Sequence, residues 1–437
     1  MAAQAVYHQA LQQEVIEERL DNGLTIVIFP KPGFQQKYAV FATHYGGMDS
    51  VFIPPGQSEP LHVPDGIAHF LEHKLFDQPD ETNVLQEFTR LGASPNAFTS
   101  QYMTAYHFTI VDCFEEGLDL LLDYVQTPYF TAESVEKEQG IIGQEIQMGL
   151  DDPNRMVTYN LLESLYKEHP ARIRVIGSIE SIRQITPEIL YQCHDTFYHP
   201  SNMMLAVAGD VDPNAVIEQV KRDMAKRNYE PRPPIQRIIP DEPAGVIQSE
   251  VRHVLRVSRP SVLVGYKASL ERPDDPDRLA YQRRLVAVDI ALGALFNRHT
   301  EFYWDLYQDG TITDSFRFGY TPYPKTGHLA VGGETENPER LIEAITATLS
   351  RACSDGISVD AFEKQRKKEI GYFLSAIDHP ASMANEFVLN RFFGFDYFAA
   401  WDMLNEVAVE EAQEALQQII ASNDRVVSIV EPMEGGA

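Results

Sequence analysis

The segment His69-Phe-Leu-Glu72-His73 has the residue types and the spacing of a metal-dependent hydrolytic site. Residues i and i+4 are neighbours on a helix surface, so the imidazoles of His69 and His73 can bind one metal ion. Glu72 falls on the same face, where a carboxylate can act as a general base toward water. The order HxxEH is the reverse of HExxH and is typical of an inverted zinc peptidase helix. Two surface histidines on a solvated helix face are the alternative interpretation.

The HxxEH segment is predicted to lie on a helix that begins at Asp65, a good N-cap residue directly after Pro64. Four apolar residues share one arc of this helix and are predicted to pack on the core: Ile67, Phe70, Leu71 and Leu75. The motif residues lie on the opposite arc together with Phe76. This arrangement leaves the candidate ligands free to face a substrate.

A catalytic zinc site takes three protein ligands and keeps one position open. A long helix predicted to start after Thr131 offers Glu138 and Glu145, two turns apart on one face. Gly140 and Gly143 lie between them, and each costs about 1 kcal/mol in a helix interior. We expect a close approach to the HxxEH helix to require these glycines. A salt-bridged surface face is the alternative interpretation of the two glutamates.

These residues together resemble the insulinase/pitrilysin family of zinc metallopeptidases. The matching residues are His69, Glu72 and His73, then Glu145 at 145 − 73 = 72 positions after His73, with Glu138 seven positions before Glu145. NAFTS at 96–100 resembles the family's substrate-strand motif, and YHPSNM at 198–203 with Gly209-Asp210 resembles its domain-closing strand. The resemblance covers most of residues 20–215 and is greatest to bacterial processing-peptidase-like members, many of which work beside a paralogous partner.

The resemblance implies a role for each matching residue. His69, His73 and Glu145 would bind one Zn²⁺ per chain, and Glu138 would orient a ligand from outside the ligand set. Glu72 would take a proton from the attacking water and later protonate the leaving amine. Asn96 and Ala97 would bind an extended peptide substrate by strand addition; for Asn96, an ordinary turn residue after Pro95 is the alternative.

The two halves of the chain carry strand-like and helix-like segments in the same order, which indicates two copies of one α+β unit. Five prolines in segment 229–245 predict an extended linker between them. We therefore expect a zinc-binding domain at 14–228 and a related domain without zinc ligands at 246–437. The resemblance implies two homologous α/β sandwich-like domains, each a mixed sheet with helices on one face, of the mitochondrial-processing-peptidase type and forming half of a clamshell.

The second half departs from the family pattern at every zinc position. Asp289, Leu292 and Gly293 align with the three HxxEH residues, and Tyr372 aligns with Glu145. Active family members also use an Arg, and a Tyr seven residues later, to hold the substrate carbonyl; we call this pair the clamp. Tyr307 and Asp314 stand at the clamp positions here, whereas Arg317 and Tyr320 lie nearby at the wrong spacing. We expect a homo- or heterodimer in which a paralogous subunit carries the clamp.

Composition limits the remaining possibilities. The 437 residues include 36 Lys and Arg against 64 Asp and Glu, which leaves a formal charge of −28. This charge disfavours binding to nucleic acid and to anionic membrane surfaces, and it favours basic peptides if the acidic residues line the site.

Three separated cysteines (Cys113, Cys193 and Cys353) form no disulfide framework, and residues 1–20 have no signal-peptide pattern. We expect a cytoplasmic protein with no membrane span.

The sequence predicts a zinc-dependent metalloendopeptidase that acts on oligopeptides or unfolded segments. One alternative is a specific maturation protease for a leader or a modified peptide. A second is a non-catalytic scaffold subunit, which the intact zinc set argues against. A lyase that cleaves a ribosyl thioether shares the inverted motif, but such chains are much shorter and have a single domain.

Overall fold

The computed structural model describes residues 4–78, 83–227, 229–271 and 277–433. Their contacts group into two compact units. Unit 1 comprises Met1–Ile146, Arg174–Ile238 and Leu374–Tyr397, and unit 2 comprises Gln147–Ile173, Ile239–Phe373 and Phe398–Ala437. The continuous domains 14–228 and 246–437 stay a prediction, and their ends at Asn228 and at 434–437 lie outside the described residues.

Strands and helices of both halves confirm the α+β class. Up to residue 238 the elements are β1 (Gln4–His8), β2 (Gln13–Arg19), β3 (Thr25–Pro30), β4 (Lys37–Thr43), β5 (Val51–Ile53), β6 (Leu61–His62), α1 (Ile67–Lys74), α2 (Val84–Arg90), β7 (Ser94–Thr99), β8 (Thr104–Ile110), α3 (Phe114–Gln126), α4 (Ala132–Leu150), α5 (Pro153–Leu165), α6 (Ile179–Ile182), α7 (Pro187–Phe197), β9 (Met203–Gly209), α8 (Pro213–Ala225) and β10 (Gln236–Arg237).

The second half continues the numbering. Its elements are β11 (Glu250–Leu255), β12 (Ser261–Lys267), α9 (Arg278–Phe296), α10 (Glu301–Gln308), β13 (Arg317–Tyr323), β14 (Thr326–Glu334), α11 (Pro338–Asp355), α12 (Val359–Asp378), α13 (Pro380–Phe393), α14 (Ala399–Glu406), α15 (Val409–Ala421) and β15 (Arg425–Pro432). No helix in the described part of the chain is long and apolar enough to cross a membrane.

Unit 1 is built on a mixed seven-stranded sheet in the order β1-β2-β3-β9-β4-β8-β7. Strands β3 and β9 are parallel, and every other neighbouring pair is antiparallel. All seven residues of β9 are buried, as are six of the seven in β4. Strands that are apolar along their whole length are buried on both faces, so this sheet needs cover on both sides.

Helices cover both faces of this sheet, so the prediction of helices on one face is wrong. On one face α3 packs so closely that a Cβ on Gly117 would lie 2.9 Å from the ring of Phe108. Thr109 faces the opposite side because side chains alternate along a strand, and Tyr38 pairs with it. On that side the Tyr38 hydroxyl accepts a hydrogen bond from Asn385 of α13 (2.7 Å).

Unit 2 repeats this arrangement with a five-stranded sheet in the order β11-β15-β12-β14-β13. A Cβ on Gly265 of β12 would lie 2.8 Å from Leu161 of α5, so α5 packs directly on that face. The next residue, Tyr266, faces the other side and contacts Thr346 of α11. Each sheet is therefore covered on one face by a helix from the other half of the sequence: α13 in unit 1 and α5 in unit 2.

The proline-rich segment 229–245 is held at two points, one in each unit. In unit 1, Arg237 forms an ion pair with Asp49 (2.8 Å) and β10 pairs with β5. In unit 2, Glu242 forms an ion pair with Lys267 (2.7 Å), and both side chains are almost completely buried. The segment is thus extended, as its prolines predict, but it is anchored by buried charges.

Candidate metal centre

Helix α1 carries the HxxEH motif and begins at Ile67, two residues later than predicted. Asp65 does not cap it, because its carboxylate accepts from the Ser50 hydroxyl (3.0 Å). The residue before the helix is Gly66 in the left-handed region (φ 92°), and a Cβ there would lie 2.5 Å from the Ile176 carbonyl oxygen. Glycine is required because both the backbone angle and the close contact exclude a side chain.

The apolar arc predicted for α1 is confirmed, whereas the placement of Phe76 on the ligand arc is wrong. The four apolar residues Ile67, Phe70, Leu71 and Leu75 are all buried. Phe76 packs against the rings of Tyr106 and Tyr124, so it belongs with the core more than with the ligand face. His69 and His73 lie side by side, with ring centroids 4.6 Å apart.

The candidate ligands from α1 and α4 meet at one point. Glu145 Oε2 lies 3.7 Å from His69 Nε2 and 3.8 Å from His73 Nε2. Two ligand atoms that each lie about 2.1 Å from a tetrahedral zinc are about 3.4 Å apart, so these separations fit a shared ion within a few tenths of an ångström. Among the described residues, this is the one group of His, Cys, Asp or Glu side chains close enough to share a metal.

Glu138 contacts His73 on the side away from this cluster. Its Oε1 accepts from His73 Nδ1 (2.9 Å), which leaves Nε2 with the lone pair that a metal needs. Burial lowers the pKa of His73, but the Glu138 carboxylate, aided by Glu72 and Glu145, outweighs it, so the net pKa is raised. The donor set and the tautomer therefore both suit a zinc ion.

Glu72 is 8% exposed and lies beside the three ligands. Its Oε2 accepts a hydrogen bond from the Thr99 hydroxyl (2.6 Å). Burial raises the pKa of Glu72; the Thr99 hydroxyl and His73 lower it in part, and Glu145 adds to the increase. A raised pKa makes the carboxylate a stronger base toward water, as a general base requires.

A buried lysine joins the two helices that bring these residues together. Lys74, at the end of α1, is completely buried and forms an ion pair with Asp77. Its ammonium group also lies 3.4 Å from the Ser134 carbonyl in the first turn of α4. The sequence does not indicate this contact, because a lysine at the end of a helix ordinarily reaches solvent.

The explanation predicted for Gly140 and Gly143 is wrong. A Cβ on either residue would meet no described atom within 4 Å, so no close approach requires them. The exposed side of α4 near them carries Ile141 and Met148, both exposed. The close contacts that position α1 are made instead by Gly66 and Gly177, since a Cβ on Gly177 would lie 2.5 Å from the Asp65 carbonyl oxygen.

Strand β7 carries Asn96 and Ala97 at the edge of the seven-stranded sheet. In the described part of the chain, β7 pairs with β8 on one side and with no strand on the other. The Ala97 amide donates to the side-chain oxygen of its neighbour Asn96 (2.9 Å) and is therefore not used in the ladder with β8. Substrate binding by Asn96 and Ala97 stays a prediction, but both residues lie on an open strand edge as strand addition requires.

In unit 2 the position equivalent to the metal cluster is filled by a glutamine. Gln365 aligns with Glu138, since it precedes Tyr372 by the same seven residues. Its side chain is buried over Gly293, where a Cβ would lie 2.2 Å from Gln365 Cδ, and it accepts from Asn297 (3.1 Å). A histidine at position 293 would therefore collide with Gln365.

The four residues considered for the clamp have other partners in unit 2. Tyr307 is partly exposed and stacks on Tyr303, and Asp314 forms an ion pair with Arg298 (3.0 Å). Arg317 donates to Asn154 (3.2 Å), and the buried Tyr320 donates to the Ala268 carbonyl (2.7 Å). None of these four residues forms an Arg–Tyr pair at the family spacing.

Comparison with known proteins identifies the family. The sequence profile described as Insulinase (Peptidase family M16) matches residues 51–178, and the profile described as Peptidase M16 inactive domain matches residues 184–369. A Bacillus subtilis protein, the uncharacterized zinc protease YmfH, is 41% identical over 429 residues, which cover 98% of this chain and 99% of YmfH. The chain belongs to the M16 peptidase family.

Other M16 relatives and solved structures agree with this assignment. The mitochondrial-processing peptidase subunit beta of Arabidopsis thaliana is 30% identical over 208 residues, 47% of this chain and 39% of that protein. An M16-like peptidase from Alicyclobacillus acidocaldarius superposes with a TM-score of 0.91 at 36% identity, covering 98% of this chain and all of that one. The periplasmic protease PqqL from Escherichia coli shares the fold (TM-score 0.72, 18% identity), and the match covers 99% of this chain but 48% of PqqL.

Proposed function

We propose that the chain is a zinc-dependent metalloendopeptidase that hydrolyses peptide bonds in oligopeptides or unfolded segments. The observation that carries the proposal is the meeting of His69, His73 and Glu145 within 4.8 Å of one another, with Glu72 beside them. The zinc protease named among the relatives supports Zn²⁺ as the cofactor, one ion per chain. A cytoplasmic location and a dimeric assembly belong to the same proposal.

The chain's own residues supply the proton transfers. A bound zinc would polarise the scissile carbonyl and lower the pKa of water. Glu72 accepts a proton from the attacking water as the new C–O bond forms, and it donates that proton to the amide nitrogen as the C–N bond breaks. Glu138 accepts a hydrogen bond from His73 Nδ1, so His73 would hold the ion through Nε2. Water and the peptide bond are consumed, and a carboxylic acid and an amine are released.

The open edge of β7 is the proposed place for the peptide. An added strand pairs through its backbone, so the sequence of the peptide matters little to the ladder. Asn96 and Ala97 lie two to three residues before Thr99, which contacts Glu72. A peptide extended along this edge would therefore pass next to the general base.

A paralogous subunit is proposed to supply the clamp, because a second copy of this chain would also carry Tyr307 and Asp314. Neither Tyr307 nor Asp314 reproduces the Arg and Tyr of active family members. The match to PqqL covers 48% of that protein, so PqqL contains a further part of similar size. The 30% identity to a mitochondrial-processing peptidase subunit supports a specific processing protease as the second candidate function. A non-catalytic scaffold subunit is disfavoured because the ligand cluster is intact.

Two variants test the zinc peptidase proposal. We expect Glu72→Gln to retain about one zinc per chain and to lose cleavage by a factor of about 10³ or more, because it removes the proton acceptor. We expect His69→Ala to lose both zinc and cleavage. Metal analysis, with a fluorogenic peptide library assayed on the full chain alone and together with a co-encoded paralogue, measures both.

The results separate the parts of the proposal. Undiminished hydrolysis by Glu72→Gln would contradict the mechanism. Full activity of the chain alone, unchanged by the paralogue, would contradict the need for a partner. Cleavage of one precursor peptide with no turnover of the library would favour the processing function.

A further inference from the structure

Thr99 is the last residue of β7 and lies between the substrate strand and the general base. Its hydroxyl donates to Glu72 Oε2 at 2.6 Å, a short distance typical of a hydrogen bond to a carboxylate. Helix α1 and strand β7 also contact each other. A single side chain thus joins the element that carries Glu72 to the element that carries Asn96 and Ala97.

The available hydroxyl protons determine which way this hydrogen bond runs. Thr104 Oγ1 lies 3.3 Å from Thr99 Oγ1, and it donates to the buried Tyr45 carbonyl oxygen at 2.9 Å. A threonine has one hydroxyl proton, so Thr104 has none left for Thr99. The Thr99 proton is therefore directed to Glu72, which as a carboxylate can only accept it.

The backbone around Thr99 is fixed by a tight turn. The Ser100 amide donates to the Met103 carbonyl (2.8 Å), and the Ser100 hydroxyl oxygen accepts from the amides of Tyr102 and Met103. The Tyr102 ring packs on Phe393 of α13, with centroids 4.1 Å apart. The Thr99 hydroxyl is thus held by a rigid element, and the longer Glu72 side chain is the partner that adjusts.

We propose that Thr99 is a positioning residue that fixes the carboxylate of Glu72 for proton transfer. Its hydrogen bond occupies Oε2 and leaves Oε1 as the oxygen that receives the proton of the attacking water. Because Thr99 belongs to the same strand as Asn96 and Ala97, it also sets the distance between the general base and a peptide added to β7. This inference rests on the proposed function.

The test compares Thr99→Val, which keeps the shape and removes the proton donor, with Thr99→Ser, which restores the donor. In the full zinc-loaded chain, with its paralogue present if activity needs it, we expect Thr99→Val to lower kcat about 10- to 100-fold with KM changed less than about 2-fold. Thr99→Ser recovers most of kcat. Thr109→Val, a half-buried threonine on the neighbouring strand β8, is the matched control and keeps wild-type kinetics.

Crystal structures and zinc content provide readouts other than activity. We expect all variants to retain zinc, and we expect the Glu72 carboxylate to move only in Thr99→Val. An unchanged kcat in Thr99→Val, a loss that appears in KM alone, or equal loss in Thr99→Ser would overturn the inference. If the wild-type chain cleaves no peptide, the proposed function fails, and the position of the Glu72 carboxylate still decides the role of Thr99.

Discussion

At the scale of single residues, His73 and Glu72 of the proposed site each have a partner that sets the direction of the side chain. Glu138 holds His73 through Nδ1, and Thr99 holds Glu72 through Oε2. Glu138 contacts the side of the His73 ring away from the ligand cluster, so it lies outside the proposed ligand set. Side chains that turn freely lose rotational entropy when a ligand binds, so fixing them in advance raises affinity and rate.

Glu138→Gln tests this arrangement at the metal. The amide is a weaker acceptor for the His73 N–H and carries no charge, so we expect zinc affinity to fall about 10- to 100-fold. Competition with a chelator measures it. Glu136→Gln, at an exposed position on the same helix, is the matched control and should bind zinc as the wild type does. Equal affinity in the two variants would show that Glu138 does not orient the ligand.

Sequence alone identified the residues that helix periodicity connects. His69, Glu72 and His73 share one helix face, and Glu138 and Glu145 share another, so fixed spacings define both sets. The contacts of Thr99 with Glu72 and of Lys74 with Ser134 could not be predicted from the sequence, because they join elements far apart in sequence. No fixed spacing relates a strand end to a helix 27 residues earlier, so only the folded chain reveals such a pair.

At the scale of elements, the buried carboxylate of Glu242 is the strongest anchor of the proline-rich segment. It accepts from Lys267 and from the amides of Lys167, Glu168 and His169. Burial alone would raise the pKa of Glu242, but the Lys267 ammonium and these amides outweigh it and lower the pKa to about 2. Composition predicted an extended segment and did not reveal the charge that fixes it.

This anchor predicts a specific loss of stability in acid. A pKa lowered from 4.5 to about 2 corresponds to about 3 kcal/mol, which is present above pH 4.5 and is lost as the pH falls toward 2. We expect Glu242→Gln to lower the free energy of unfolding by about this amount at pH 7, and the difference from wild type to shrink as the pH falls below 4.5. Urea denaturation over a pH series measures it.

The control for this prediction is Glu414→Gln, at an exposed position on α15. We expect this variant to follow the wild-type stability at every pH, because an exposed charged side chain contributes little to the free energy of unfolding. A constant difference between Glu242→Gln and wild type from pH 7 to pH 2.5 would show that the Glu242 charge is not the cause.

At the scale of the whole molecule, each sheet is covered on one face by a helix from the other half of the sequence, α13 in unit 1 and α5 in unit 2. We call this arrangement the exchange, and sequence periodicity could not show it. The segments look alike in both halves, so the pattern predicted two continuous domains. Periodicity indicates that a helix has a buried face but not which sheet buries it. Strands β4, β9 and β12 are apolar and buried along nearly their whole length. This pattern was the available signal that each sheet needs helices on both faces.

The exchange predicts that neither half folds alone. Fragment 1–238 lacks α13, whose buried Met383, Phe387 and Val388 contribute about 1.5–3 kcal/mol each. Fragment 239–437 lacks α5. We expect each fragment alone to show no cooperative unfolding, and the two co-expressed fragments to form a stable complex, measured by thermal unfolding and size-exclusion chromatography. The full chain cleaved within 229–245 is the matched control, and independent folding of fragment 1–238 would contradict the prediction.

The position of α13 also constrains how the protein is made. The last strand of the first sheet ends at Gly209, and α13 ends at Phe393, 393 − 209 = 184 residues later. At about 5–20 residues per second, a ribosome takes roughly 10 to 40 s to add them. Throughout that interval the nascent sheet has an uncovered apolar face, which is the kind of surface that chaperones bind and that aggregates. Production of this protein should therefore depend on translation speed and chaperone supply more than its size alone suggests.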